Sequence, residues 1–181
     1  DPFYPNRMAV GEAISGQDIN WNYNMGYRFT ADQDGDVTQL GGRWSTGVTH
    51  TVRLYNYPAG TVITTATVTG TGNWEYTDIT PVALTAGNQY VVAVRLDAQS
   101  SGYFTTFSTP VSSGGVTITN SCFLINSNAM PTNSVTTQMY GQADIRFEPC
   151  DYAGLAVADA TPIDLGDSTT IRVTAQTGAV K

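Results

Sequence analysis

The most constraining feature of this chain is a strict alternation over residues 90–96. Tyr90, Val92, Val94 and Leu96 fall on one face there, and Val91, Ala93 and Arg95 on the other. A repeat of two is the side-chain period of a half-buried strand, whereas a helix would scatter the same apolar residues around its circumference. Further strand-like runs follow at 49–56, with Val52 and Leu54 on one face, and at 62–69, 74–79, 103–108, 116–120 and 138–147. Clusters of Ser, Gly and Asn separate the later ones. About eight or nine strands at this spacing predict an all-β chain folded as a two-sheet antiparallel β-sandwich, immunoglobulin-like or jelly-roll-like. Composition points the same way, with 27 Thr and 18 Gly against three Glu and one Lys, so the residues that cover helix surfaces are scarce.

Along the chain, residues 1–24 mix Pro2, Pro5, Gly11 and Gly16 with aromatics and hold neither period, which reads as an N-terminal extension. The sandwich is expected over 25–150. Tyr27 and Phe29 share a face there, and Asp34-Gly35 predicts a type I′ hairpin leading into a strand at 37–44. Residues 151–181 read as an extended C-terminal segment, with Ile163, Leu165, Ile171 and Val173 as the apolar positions of two strands around Gly166-Asp167. Thirty-one residues are far fewer than the ~100 of an immunoglobulin-like domain. The expectation is therefore an incomplete repeat, or a donor strand whose apolar face and backbone groups need a partner.

A net charge of −7 and a pI near 4.3 argue against nucleic acid, whose binding rests on Lys and Arg neutralising phosphates. No apolar run is long enough for a membrane-spanning helix. Two cysteines, Cys122 and Cys150, permit one disulfide, and with this composition they suggest an exported protein whose Asp1 follows removal of a signal peptide.

Several short words are distinctive: Gly26-Tyr27-Arg28-Phe29-Thr30, Asp34-Gly35-Asp36-Val37, Leu54-Tyr55, Gly72-Asn73-Trp74, Pro81-Val82 and Thr85-Ala86-Gly87-Asn88-Gln89-Tyr90. In order and spacing they resemble the bacterial domain of unknown function 4082 family, over roughly residues 26–95. The resemblance implies a β-sandwich accessory domain of secreted and cell-surface proteins, and it brings no catalytic residues with it.

Asp32, Asp34 and Asp36 alternate as the first calcium-loop ligands would. However, the glycine stands at loop position four and Arg43 at position twelve, so the segment is no EF-hand, and the Asp-Gly turn already accounts for it. Calcium at these three residues is the one ion the sequence puts forward; no other cofactor is expected. Nucleophilic hydrolysis needs a base, and the sole histidine, His50, lies in a predicted strand with no G-x-S-x-G elbow anywhere. Glu75 beside Trp74 is the one carboxylate with a glycosidase-like setting, and it reads better as a solvated strand start. Sugar faces stack on exposed rings, for which Trp21, Trp44, Tyr55, Tyr57 and Trp74 are available, with Tyr55 and Tyr57 on one face.

These residues suit a non-catalytic extracellular structural module, an adhesin unit or filament subunit that forms homo-oligomers or polymers by strand donation from the C-terminal segment. A carbohydrate-binding module of a secreted protein, with a glycan as ligand, is the alternative.

Overall fold

Valine, threonine and aromatic side chains fit a pleated surface, and among the described residues they build eleven strands, beside one short helix. The structure is a computed structural model and describes residues 4–150, with backbone alone at 18–21 and 98–101. In chain order the elements are α1 (Pro5–Val10), β1 (Gly16–Ala31), β2 (Gly35–Arg43), β3 (Thr49–Asn56), β4 (Val62–Thr69) and β5 (Trp74–Leu84). They continue with β6 (Gln89–Thr106), β7 (Val111–Ser113), β8 (Val116–Ile125), β9 (Asn133–Val135), β10 (Gln138–Tyr140) and β11 (Ala143–Pro149).

The fold is a two-sheet antiparallel sandwich. The larger sheet runs β4-β3-β6-β1-β8-β7, with β10 against β6 and β9 against β8, and the smaller runs β11-β2-β5. Between them lies a core built from alternate residues of facing strands. Tyr27 and Phe29 of β1, Val52 and Leu54 of β3, Val92, Val94 and Leu96 of β6, and Leu40, Ile145 and Phe147 of the smaller sheet are all fully buried. At roughly 25 cal/mol per Å2 of apolar surface removed from water, this interleaving is the main favourable contribution to folding.

The alternation at 90–96 is observed, but β6 is not half-buried. Its second face is covered too, because Val91 and Ala93 pack with Tyr55, Cys122 and Met130 in a small outer core. The reason is tertiary: the segment between β8 and β9 brings Met130 onto the outside of the larger sheet. Strand lengths also differ from expectation, since 103–108 continues the strand at 90–96, and 138–147 divides between β10 and β11 in different sheets. The expected N-terminal extension instead supplies α1 and the first half of β1.

Asp34-Gly35 is not a hairpin. β1 ends at Ala31 in the larger sheet and β2 begins at Gly35 in the smaller one, so the chain crosses between sheets where a type I′ turn was expected. Gly35 lies outside the positive-φ glycines; a Cβ there would meet the Phe147 ring and the Glu148 carbonyl, so close approach is what requires glycine. The expected Cys122–Cys150 disulfide is likewise not formed, and both thiols are free. Cys122 faces the outer core of the larger sheet, away from the smaller sheet whose β11 leads to Cys150. The proposed strand residues Ile163, Leu165, Ile171 and Val173 lie outside the described residues.

Gly26 sits in β1 opposite Ala93 of β6 and Cys122 of β8, and a Cβ at this position would fall on the Val92 carbonyl and the Ala93 Cα. Gly26→Ala should therefore force the two central strands apart and cost about 2 kcal/mol or more, lowering the urea midpoint with an unchanged slope. An unaltered midpoint would contradict this packing.

Candidate functional site

Helix α1 has a problem at its start that its own sequence does not solve. Its N-cap is Tyr4, whose side chain makes no capping bond, and Pro5 at the first position has no N–H. The next two N–H groups, of Asn6 and Arg7, still need acceptors. They find them in one carboxylate far along the chain: Asn6 N–H donates to Asp144 Oδ1 and Arg7 N–H to Asp144 Oδ2, each at 3.0 Å. The hydroxyl of Tyr27 donates to Oδ1 and that of Tyr76 to Oδ2, both at 2.9 Å. The Asn6 amide completes the lock by donating to the Ala143 carbonyl at 2.8 Å.

Asp144 is fully buried. Burial pushes its carboxyl up to about 6, against the pull of the Arg7 and Asn6 N–H groups and the Tyr76 hydroxyl. The same burial, with the adjacent carboxylate, raises both tyrosines above their ordinary value, so they remain donors at neutral pH. Gly41 lies opposite both Asp144 and Tyr76 in register, and a Cβ on it would collide with the Tyr76 ring. Sequence reasoning missed this cluster. The available signal was a helix start, Tyr4-Pro5-Asn6, without a capping side chain of its own.

A second polar region covers the outer face of the larger sheet. The Asn24 amide donates to the Tyr55 hydroxyl at 2.9 Å and to the Ala129 carbonyl at 2.8 Å, while Tyr55 donates to the Asn128 carbonyl at 2.8 Å. Burial raises the Tyr55 hydroxyl, opposed by Asn24 and by the charge of Arg53. Nearby, the Arg28 guanidinium stands 4.7 Å from the ring of half-buried Tyr57. Asn24 Oδ1 and one Nη1 each of Arg53 and Arg95 are buried without a partner.

The residues singled out from sequence do not gather into a reactive site. Asp32 accepts from the Thr117 hydroxyl at 2.8 Å, Asp34 from the Ala86 N–H at 2.7 Å, and Asp36 pairs in register with Ala83 and Glu148. The three carboxylates thus have separate partners on either side of the crossing between sheets. Among the described residues no group of three His, Cys, Asp or Glu side chains could hold a metal ion. Trp44 and Tyr55 are fully buried and Trp74 is nearly so, which removes them as an exposed sugar platform. Trp44 donates to the Val48 carbonyl and stacks edge-on against His50, and Trp74 donates to the Gly11 carbonyl. Only Tyr57 of the four keeps partial exposure; it follows the end of β3 and packs against the outer core that contains Tyr55; the side chain of Trp21 lies outside the described residues. His50 is buried at 4% exposure and held neutral by desolvation. Glu75 accepts from the Thr71 hydroxyl at 2.5 Å.

The family model described as Domain of unknown function (DUF4082) matches residues 10–141, which is most of the sandwich. The chain belongs to this family. The DUF4082 match extends the resemblance of residues 26–95 at both ends, and no curated protein matches the chain. Asp144 and most of α1 lie just beyond the DUF4082 limits, so the buried carboxylate ties together the two segments that flank the matched stretch.

Two predictions follow from burial. Because the folded-state value of Asp144 is raised from 3.8 to about 6, its contribution to stability is full below pH 4 and is lost as pH rises through 6. The gap in unfolding free energy between wild type and Asp144→Asn should widen on acidification from pH 7 to 4, by at most about 1.4 kcal/mol per pH unit. A gap independent of pH would show that the carboxyl is not desolvated. The thiol of Cys122 is pushed up to about 12 by burial, whereas Cys150 is exposed. Native protein should therefore take up one equivalent of a thiol reagent at Cys150, and a second only on unfolding; no uptake before reduction would restore the disulfide.

Proposed function

We propose that this DUF4082 chain is a non-catalytic structural module of a secreted or cell-surface protein, an adhesin unit or filament subunit that associates with copies of itself by strand addition. One observation carries the reading: the side chains that chemistry would draw on serve packing. His50 is buried against Trp44, Asp144 is sealed under two tyrosines and a helix start, and Trp44 and Trp74 are core residues. Threonine, by contrast, is the commonest exposed residue of the described strands. Sheets with open edges are natural sites for an added strand, which brings main-chain hydrogen bonds and alternate side-chain contacts. In this reading the C-terminal Ile163, Leu165, Ile171 and Val173 are donor positions.

Carbohydrate binding is the second reading, favoured by Tyr57 beside Arg28 and by the unpartnered polar atoms of Asn24, Arg53 and Arg95 on the same face. Sedimentation velocity of the full chain at rising concentration, run beside a glycan array, separates the two. Self-association with no glycan retained is the expected result. A monomer at every concentration that binds glycan, and loses it in Tyr57→Ala, would replace the first reading with the second.

A further inference from the structure

The six arginines among the described residues fall into two sets. Arg7 and Arg43 lie against Glu12 and Arg146 lies against Glu148, at 3.1 to 3.7 Å. Arg28, Arg53 and Arg95 form no ion pair among the described residues. All three stand on the outer face of the larger sheet, since their strand neighbours Tyr27 and Phe29, Val52 and Leu54, and Val94 and Leu96 are core residues. Cations gathered without carboxylates on one face stand out in a chain of net charge −7. Arg28 is accounted for by its place over the Tyr57 ring and by its Nε, which donates to the Thr119 hydroxyl at 3.3 Å. Arg53 and Arg95 are not.

Register brings these two together. Arg53 of β3 pairs with Ala93 of β6, Arg95 follows two residues on along the same face, and Asn24 of β1 pairs with Arg95. Diagonal positions of this kind have Cβ atoms roughly 7–8 Å apart, within reach of two long side chains. The sheet surface beside them carries little bulk, because Ala93 pairs with Gly26. The segment between β8 and β9 crosses this face: Asn126 N–H donates to the Asn22 carbonyl, and the carbonyls of Asn128 and Ala129 accept from Tyr55 and Asn24, each at 2.8 Å. Arg95 uses its Nη2 on the Asn22 side-chain oxygen. Three polar atoms at this corner are buried without a hydrogen-bond partner in the protein: Nη1 of Arg53, Nη1 of Arg95, and Oδ1 of Asn24, a side chain with no exposure at all.

We infer that this corner is an anion site, and that its occupant is a small planar oxyanion carrying one hydroxyl, with hydrogencarbonate as the type. The two guanidinium N–H groups require acceptor oxygens, and the Asn24 Oδ1 requires a hydrogen. A water molecule matches that count but leaves two positive charges side by side. An oxyanion makes the same bonds and offsets the charge, which is the larger cost where the atoms are out of contact with solvent. Guanidinium groups favour planar oxyanions, whose oxygens lie in the plane of their N–H fork. A halide brings no hydrogen for Asn24, and a bulky ligand does not suit atoms that have no solvent contact. The site needs neither a second copy nor a glycan, so it goes beyond both readings above and gives the unpartnered atoms an occupant other than a sugar hydroxyl.

Thermal unfolding of the full chain tests it, with sodium hydrogencarbonate replacing sodium chloride at fixed, mildly alkaline pH and constant ionic strength. An ion that binds only the folded state raises the midpoint as its concentration passes its Kd. The wild-type midpoint should rise. Arg53→Gln and Arg95→Gln, each compared with its own midpoint in chloride, should show no rise, and Arg146→Gln, in the smaller sheet, should rise as wild type does. Sodium nitrate, planar but without a hydrogen, should raise the wild-type midpoint less. A wild-type midpoint that does not move, or an equal rise in both Arg53→Gln and Arg95→Gln, overturns the site. An equal rise in nitrate overturns the Asn24 contact and with it the assignment of the ion. Should either variant fail to fold, the carbon NMR line of isotope-labelled hydrogencarbonate, read on the wild-type protein, decides: broadening that excess unlabelled ion reverses is expected, and a line unchanged at every protein concentration overturns the inference. None of these outcomes bears on self-association, which sedimentation measures separately.

Discussion

Asp144 is the point on which the two sheets and the start of the chain converge. Its two oxygens accept from the backbone of α1, from Tyr27 of β1 in the larger sheet and from Tyr76 of β5 in the smaller sheet, while its own strand, β11, is an edge of the smaller sheet. A buried carboxylate is expensive unless its lone pairs are filled, and four donors fill these. Removing any donor leaves the others facing an under-satisfied charge, so the four elements hold one another in place. Satisfaction of this kind is more specific than apolar contact, because it demands particular atoms at about 3 Å.

Once α1 is held there, it packs beside β11 and approaches β7, on the side where the two sheets would otherwise part. The opposite side is closed by β4 and β5, where the Thr77 hydroxyl bonds to the Thr67 carbonyl. The interior is thereby sealed along both flanks, which is why Tyr27, Trp44 and Phe147 have no exposure at all. On the outside of the larger sheet, Tyr55 and Met130 cover Val91, Ala93 and Cys122, and the small residues Gly26 and Ala93 allow the central strands to come close beneath them.

This economy bears on what the molecule does. A histidine at 4% exposure, held neutral, and a carboxyl raised to about 6 would ordinarily draw attention as acid–base groups, since shifted values cluster at reactive sites. Here burial produces both shifts and the hydrogen-bond partners are structural, as in ion-pair and polar networks that serve the fold. What remains accessible is the threonine side chains of β4, and the Arg28–Tyr57 pair on the outer face.

The sequence by itself determined that the chain would be all-β and which face of β6 would point inward. These follow from a period of two, and a period is a property of neighbouring residues. It also carried the family words from Gly26 to Tyr90. Tertiary structure alone decided the rest. Asp34-Gly35 has the composition of a hairpin, yet the chain leaves the larger sheet there, because Gly35 must pass beneath the Phe147 ring, more than a hundred residues later. Cys122 and Cys150 could pair by count, but Cys122 lies in β8 of the larger sheet and Cys150 follows β11 of the smaller one. Nothing in the local sequence marks Asp144, and only the arrival of Asn6, Arg7, Tyr27 and Tyr76 around it makes it the anchor. Local pattern sets where a side chain points along its own strand; which partner waits there depends on contacts remote in sequence, and no period records them.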